Sequence, residues 1–139
     1  MKKTGVLSTL IAVILVAFGA VAHAQQATKV PRIGFLDNST AAGSAVLVEA
    51  FRQELSKLGW IGGKNISFEY RFAEQKTERL PELAADLVRL KVDLIVATGA
   101  PEALAAKKAT TNISILMVSV GDPVGSGLVA SLARPGGNV

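Results

Sequence analysis

Three short polar stretches contain the residues of this chain that are best suited to bind a small molecule or to react with one. They are Asp37 to Thr40, Thr98 to Ala100, and Ser119 to Asp122. Each follows an apolar run, and each combines small hydroxyl, amide or glycine residues. Such groups can hydrogen-bond a small molecule without filling the space that it needs. We therefore predict that the three stretches form the polar rim of a ligand cleft.

The junction at Thr98-Gly99 suggests a particular chemistry. A helical segment begins at Pro101, directly after this junction. The start of a helix leaves backbone N–H groups unpaired and carries partial positive charge. Beside the Thr98 hydroxyl, it would suit a carboxylate or a similar anion. The alternative is that Thr98 and Gly99 only form a tight turn between strand and helix.

Two carboxylates near these stretches each allow two interpretations. Asp37 could bind the ammonium group of a ligand, or it could cap the next helix, which is the commoner use of such a residue. Asp122, which precedes Pro123, could accept a donor from a ligand or stabilise its own turn.

Several other chemistries are excluded by composition. The 139 residues include no cysteine and one histidine, His23. Thiolate catalysis, disulfides and metal sites with His or Cys ligands therefore find no support, and we expect no metal, no cofactor and no catalytic residue. The net charge of +4 comes without a basic stripe interleaved with aromatic residues, so we expect no binding to nucleic acid. The glycine pattern from Gly125 to Ala130 lacks the context of a dinucleotide site.

The elements that must position the three stretches alternate between strands and helices. Apolar or alternating runs predict strands over Val30–Leu36, Asn65–Phe72, Asp93–Ala97 and Ile113–Val120. Helical periodicity predicts helices over Ala45–Leu58, Thr77–Leu90 and Pro101–Ala109, with a short fourth over Leu128–Ala133. This order is typical of an α/β fold in which a parallel sheet is sandwiched by helices. Ligands of such sheets bind beyond the carboxyl ends of the strands, where all three polar stretches fall.

Two helices have inner faces that the sequence specifies in detail. In the first, we expect Leu47, Phe51, Leu55 and Leu58 to face the sheet, with Val48 beside them. Gly59 should end this helix in a Schellman motif that folds Trp60 back on Leu55. In the second, the inner face is predicted to consist of Leu80, Leu83, Ala84, Leu87 and Leu90, and Thr77 or a neighbour should cap the helix.

The first 24 residues have the layout of a secretory signal peptide. A basic head with Lys2 and Lys3 precedes an uncharged run from Val6 to Val21, and Ala22-His23-Ala24 matches a cleavage site. We expect cleavage after Ala24, a tether over residues 25–29, and an export to the periplasm. The alternative is an uncleaved membrane anchor, since residues 5–22 approach the minimum length for spanning.

The ordered phrases of the mature chain resemble a known family. They are "IGFLDNS", "FRQELSKLGWIGGKNISFEYRFAE", "RLPELAADLVRLKVDLIVATGAPEALAAKKAT" and "ISILMVSVGDPVGSGLVASLARPGGNV". Together they resemble the substrate-binding proteins of ABC transporters with the type I periplasmic-binding fold, some of which bind aromatic amino acids. The resemblance runs from about Arg32 to Val139.

This resemblance implies a receptor with two lobes that close around a small solute and then dock on a membrane permease. Residues 30–139 would be the N-terminal lobe, ending where the family's chain crosses into the second lobe, which would be missing. On that match, the candidate ligand-binding residues are Asn38, Ser39, Thr98, Gly99, Ser119 and Asp122.

Three functions follow from these observations. The first, which the resemblance favours, is capture of a small molecule, such as an amino acid or another carboxylate, for ABC import. The second is a ligand-sensing module that works without transport. The third is a small exported enzyme that uses Asp37 or Asp122, and it predicts turnover that alanine at either position abolishes.

Overall fold

The computed structural model describes residues 29–139. The predicted signal peptide (1–24) and all of the tether except Lys29 lie outside the described residues. No helix within residues 29–139 is long and apolar enough to cross a membrane.

Four parallel strands form one sheet in the order β2-β1-β3-β4. The strands are β1 Arg32–Asp37, β2 Ser67–Phe72, β3 Leu94–Ala97 and β4 Ser114–Met117. The helices are α1 Ala45–Lys57, α2 Leu80–Arg89 and α3 Ala100–Ala109, and a 3-10 turn over Thr77–Arg79 precedes α2. The predicted parallel α/β sheet is thus confirmed, and β2, whose alternating pattern is typical of a strand with one buried face, lies at an edge.

The sheet is covered on both faces because its central strands are apolar on both. Leu36 and Ile95 are fully buried on the face that α2 and α3 cover. Phe35 and Val96 are buried on the opposite face, where Phe51 of α1 packs. β1 can approach α2 closely because residue 34 is glycine. A Cβ at Gly34 would lie 3.0 Å from both methyl groups of Leu87.

The inner face of α2 is as predicted, since Leu80, Leu83, Ala84 and Leu87 are all buried. Its predicted cap is wrong, because neither Thr77 nor a neighbour caps the helix with a side chain. The chain enters α2 through the 3-10 turn instead. The Thr77 hydroxyl accepts a hydrogen bond from Asn38 Nδ2 at 3.2 Å.

The inner face of α1 differs from the prediction. Val48, Phe51 and Leu55 pack against the sheet, whereas Leu47 and Leu58 are 41% and 76% exposed. A straight helix on a twisted sheet presents one narrow stripe to it, and this stripe runs through Val48 rather than Leu47. The end of α1 is as predicted. Gly59 has a φ of 87°, and the Trp60 N–H donates to the Leu55 carbonyl at 2.9 Å, which is the Schellman pattern.

The fourth helix predicted over Leu128–Ala133 is wrong. Leu128 and Val129 are buried, but their N–H groups both donate to the Pro123 carbonyl in a turn. Lys107 Nζ donates to the carbonyls of Gly127 and Leu128, at 2.9 and 2.8 Å. These carbonyls therefore accept hydrogen bonds from a side chain of α3. Leu128 and Val129 are buried because they hold the turn against the core.

Candidate ligand-binding site

The strand order brings the predicted polar stretches to one edge of the sheet. From β1 the chain crosses to β2 on one side through α1, while β3 lies on the other side of β1. The loops after β1 and β3 therefore leave neighbouring strands towards opposite faces of the sheet. Such a switch point opens a crevice at the carboxyl ends of the strands. We call this region the carboxyl edge and define it by residues 37–40, 98–102 and 118–122.

Glu102 joins the first two loops of the carboxyl edge. Its Oε1 accepts a hydrogen bond from the Asn38 N–H at 2.9 Å, and the Thr98 hydroxyl lies 3.5 Å from the same oxygen. The Thr98 hydroxyl also lies 3.4 Å from the Leu36 carbonyl, which is its alternative acceptor. The structure thus brings Asn38, Thr98 and Gly99 together around a side chain that was not among the predicted site residues.

Glu102 is the third residue of α3, where its charge favours the positive end of the helix. It is 5% exposed. Its role could have been suspected from its position three residues after Gly99, where a glutamate often bonds back to the loop before its helix. Its partner, however, lies 64 residues away in the chain, and no local pattern indicates it.

The loop after β1 is held by Asp37, which is 6% exposed. One carboxylate oxygen accepts the Ser39 N–H at 2.8 Å, and the other accepts the hydroxyl of Ser44, the residue before α1. Asp37 therefore fixes the path of the loop and of the helix start. This arrangement agrees with a role in positioning the helix, and the carboxylate is covered by its own loop.

The loop after β2 holds Asn38 and Ser39 in place through backbone hydrogen bonds. The N–H groups of Glu74 and Gln75 donate to the carbonyls of Ser39 and Asn38. Glu74 and Gln75 have φ values of 56° and 63°, in the left-handed region that non-glycine residues seldom adopt. The cost is about 1–2 kcal/mol per residue, and the turn that results aims both N–H groups at the β1 loop. The sequence carries no local signal for this turn, since neither residue is a glycine or an asparagine.

The loop after β4 lies next along the edge. The Val118 N–H donates to the Ala97 carbonyl at 2.9 Å, which continues the pairing and places Ser119 beside the Thr98 loop. Ser119 is exposed. Asp122 closes its own turn, with Oδ1 accepting the Gly125 N–H at 2.8 Å and its carbonyl accepting the Ser126 N–H. The side chain of Asp122 is therefore engaged in its own turn, as one of its two predicted roles requires.

Two buried acceptors at the carboxyl edge have no partner among residues 29–139. They are Asn38 Oδ1 and Glu102 Oε2, and the third such atom is the Tyr70 hydroxyl on the α1 face. Unpaired buried polar atoms are rare in folded proteins because their desolvation is not compensated. The N-terminal start of α3, which was predicted to suit an anion, is already occupied by the carboxylate of Glu102. The edge thus offers acceptors as well as the exposed Ser119.

The amino edge, at the opposite ends of the strands, is different in kind. We define it by residues 29–31, Trp60 to Ile66, and Asp93. A cavity of about 230 Å³ is lined there by Trp60, Phe68 and residues of α1. Lys29 and Asp93 form an exposed ion pair at 2.5 Å, and the Arg32 N–H donates to Asp93 at 2.8 Å. These bonds hold the pKa of Asp93 below its usual value.

Tyr70 lies in an aromatic group between α1 and the sheet, as expected of a packing residue. Its ring centroid is 5.9 Å from that of Phe35 and 6.1 Å from that of Phe68. Burial raises the pKa of its hydroxyl. Within the described part of the chain, no group of three or more His, Cys, Asp or Glu residues could hold a metal ion.

Comparison with known proteins identifies a family. The model of the family described as ABC transporter substrate binding protein matches residues 41–139. A tyrosine-binding protein of Clostridioides difficile is 41% identical over 91 residues, which are 66% of this chain and 26% of that protein. These relatives are binding proteins and not enzymes, which argues against the carboxylate enzyme considered above.

Solved structures agree with this match. A substrate-binding protein with adhesive properties from Clostridium difficile, in a ligand-free and open form, gives a TM-score of 0.73 at 34% identity, covering 79% of this chain. A conserved domain protein from Vibrio cholerae gives 0.74 at 29% identity, covering 80%. An ABC domain from Streptococcus pneumoniae in complex with L-Trp gives 0.71 at 25% identity, covering 78%. The chain spans 37–38% of the length of these three structures.

Proposed function

This chain belongs to the ABC transporter substrate-binding protein family, and from that premise we propose that it forms one wall of a cleft that captures a free amino acid. The carboxyl edge is that wall, with Asn38, Ser39, Thr98, Gly99 and Ser119 facing the ligand. The second wall comes from another lobe. Asp122 shapes the third loop and contributes to the rim chiefly through its turn.

The observation that carries this proposal is the convergence of two cleft loops on one buried residue. Glu102 ties the Asn38 amide to the Thr98 loop, so both loops keep their geometry without a ligand. A preorganised site loses less entropy when it binds. An amino acid is the favoured class because one relative is named for tyrosine and another is seen with L-Trp.

The family and the predicted signal peptide together suggest where the chain acts and what it docks on. We propose that the chain is exported to the periplasm through residues 1–24 and that its closed, ligand-bound form docks on an ABC permease in the membrane. The basic head, the apolar run and the Ala-His-Ala site support the export. Closure between two lobes would supply the conformational signal that a permease can recognise.

A titration followed by NMR tests the binding. The full chain, labelled with ¹⁵N, is titrated with L-tyrosine and L-tryptophan, and with glucose as an uncharged control. We expect saturable shifts for the amides of Asn38, Ser39, Thr98 and Gly99 with the amino acids only. One wall alone binds weakly, with a Kd on the order of 1 mM. Shifts that centre on Trp60, or no shifts at millimolar amino acid, would contradict the proposal.

A matched pair of variants separates the site from the general surface. Thr98→Ala should weaken amino-acid binding several-fold, because it removes a hydroxyl at the rim. Thr111→Ala removes the hydroxyl of an exposed threonine in the turn after α3 and should leave the titration unchanged. Equal titrations for the two variants would remove Thr98 from the ligand site.

A further inference from the structure

We propose that Glu102, together with Asn38, forms a subsite for the protonated amine of the ligand. This inference rests on the proposed function and makes it specific, since it states which end of an amino acid this wall binds. It also reverses the expectation that the start of α3 binds an anion.

One carboxylate oxygen of Glu102 has no hydrogen-bond partner among the described residues. Glu102 is 5% exposed, and its Oε1 accepts the Asn38 N–H. Its Oε2 is buried and has no partner among the described residues. None of the ion pairs formed within residues 29–139 includes Glu102. A carboxyl group can accept several hydrogen bonds, so this group retains acceptor capacity for a donor from outside.

Gly99 lets the carboxylate of Glu102 pack against the loop after β3. A Cβ at residue 99 would lie 2.7 Å from Glu102 Oε2. The backbone of Gly99 is extended, with φ of −156° and ψ of 178°, which any residue can adopt. The glycine is therefore required for space and not for conformation. Because residue 99 has no side chain, Glu102 Oε2 lies against the backbone of Gly99, and a methyl group at this position would displace it.

The chemistry selects a cation. A ligand carboxylate at this point would be repelled by Glu102, which already occupies the positive end of α3. A primary ammonium has three N–H donors, and the carboxyl edge has two buried acceptors, Glu102 Oε2 and Asn38 Oδ1, without a partner among the described residues. Hydrogen bonds between an ammonium and a carboxylate are about twice as strong as those between neutral groups.

A ligand series tests the subsite without any mutation. L-tyrosine, tyramine, which lacks the carboxylate, and 3-(4-hydroxyphenyl)propionate, which lacks the amine, are titrated into the full chain and followed by NMR. We expect the two amines to bind at least about tenfold more tightly than the deaminated acid, with the largest shifts at Asn38 and Gly99. If the deaminated acid binds as well as tyrosine, the amine subsite is overturned while amino-acid binding stands. If none of the three binds, both proposals fail.

Glu102→Gln tests the residue itself. The glutamine keeps the size and an acceptor for the Asn38 N–H, but it has no charge. We expect it to lose about tenfold in affinity for tyrosine and tyramine and to leave the deaminated acid unchanged. Glu82→Gln is the matched control, since Glu82 lies in the first turn of α2 and is exposed, and it should behave as the wild type.

Gly99→Ala supplies a second variant that leaves the carboxylate in place. Its methyl group would displace Oε2, so amine affinity should fall as in Glu102→Gln. Equal loss of all three ligands in both variants would mean that Glu102 only holds the loops, and the subsite would be overturned.

Discussion

The carboxyl edge and the amino edge of the sheet differ in what holds them and in what they offer. The carboxyl edge is built on buried acidic groups, Asp37 and Glu102, which bond to backbone amides of their own and neighbouring loops. The amino edge has the cavity beside Trp60, which polar residues of α1 also line, and the exposed pair of Lys29 and Asp93. A concave shape therefore lies at one edge, and preorganised polar chemistry lies at the other.

Under the proposed function, this chain needs no closed pocket of its own. The carboxyl edge is an open surface, and the proposed second wall would turn it into a cleft. The carboxyl edge is distinguished by its hydrogen bonds. Buried carboxylates fix its loops, and two buried acceptors, Asn38 Oδ1 and Glu102 Oε2, have no partner among residues 29–139. The cavity at Trp60 lies between α1, the turn that follows it and Phe68 of β2, so it is a consequence of how the chain passes from α1 to β2.

The comparison predicts its largest effect at Asp37. Asp37→Ala leaves the Ser39 N–H and the Ser44 hydroxyl without their buried acceptor, so the free energy of unfolding should fall by about 2–3 kcal/mol. Denaturation by urea, followed by circular dichroism, measures the change. Asp93→Ala, at the amino edge, is the control and should cost less than about 1 kcal/mol. Equal costs for the two variants would remove the energetic distinction between the edges.

A smaller effect is expected at Trp60. The indole is 42% exposed, so Trp60→Ala removes only part of a buried side chain and should cost about 1–2 kcal/mol. The amino-acid titration of the folded variant should match that of the wild type, because Trp60 lies at the other edge. Loss of binding without loss of stability would place the ligand at the amino edge instead. Leu58→Ala, at an exposed position of the same turn, serves as a control for surface truncation.

The smallest effect concerns the pH dependence of stability. The pKa of Asp93 in the folded chain is lowered, chiefly by the bond from Lys29. Its contribution is therefore complete above the pKa of the unfolded chain, about 3.9, and is lost as the pH falls through the lower folded value. Asp93→Asn should remove this part of the loss of stability in acid. The change in the free energy of unfolding should be less than about 1 kcal/mol, because the ion pair is exposed. Melting temperatures between pH 2 and pH 6 compare the two proteins. If the melting temperatures of the two proteins depend on pH in the same way, the ion pair of Lys29 and Asp93 does not contribute to stability.

Much of the fold could be predicted from local patterns. The apolar strands, the buried stripe of α2 and the Schellman end at Gly59 each depend on residues within one or two helical turns of one another. Two errors show the limit of such patterns. Leu47 and Leu58 match the period of α1 but lie outside the stripe that contacts the sheet. Leu128 and Val129 are buried as expected of a helix face, yet Lys107 and Pro123 hold them in a turn.

The candidate site was predictable in its location and only partly in its chemistry. Parallel strands carry their loops to a common edge, so Asn38, Thr98 and Ser119 could be grouped from sequence. The bond from the Asn38 amide to Glu102 joins residues 64 positions apart. The left-handed turn at Glu74 and Gln75 likewise depends on distant residues, since its N–H groups donate to carbonyls of the loop after β1.

Local sequence patterns were enough to place the four strands and three of the four predicted helices, because side-chain periodicity and backbone preferences act between near neighbours. The sequence also determined that small polar residues follow the strands. The tertiary structure alone decided which oxygen of which carboxylate remains unpaired, because hydrogen bonds between loops depend on how the crossovers pack. That choice changes the chemistry expected at the start of α3 from binding an anion to binding an amine.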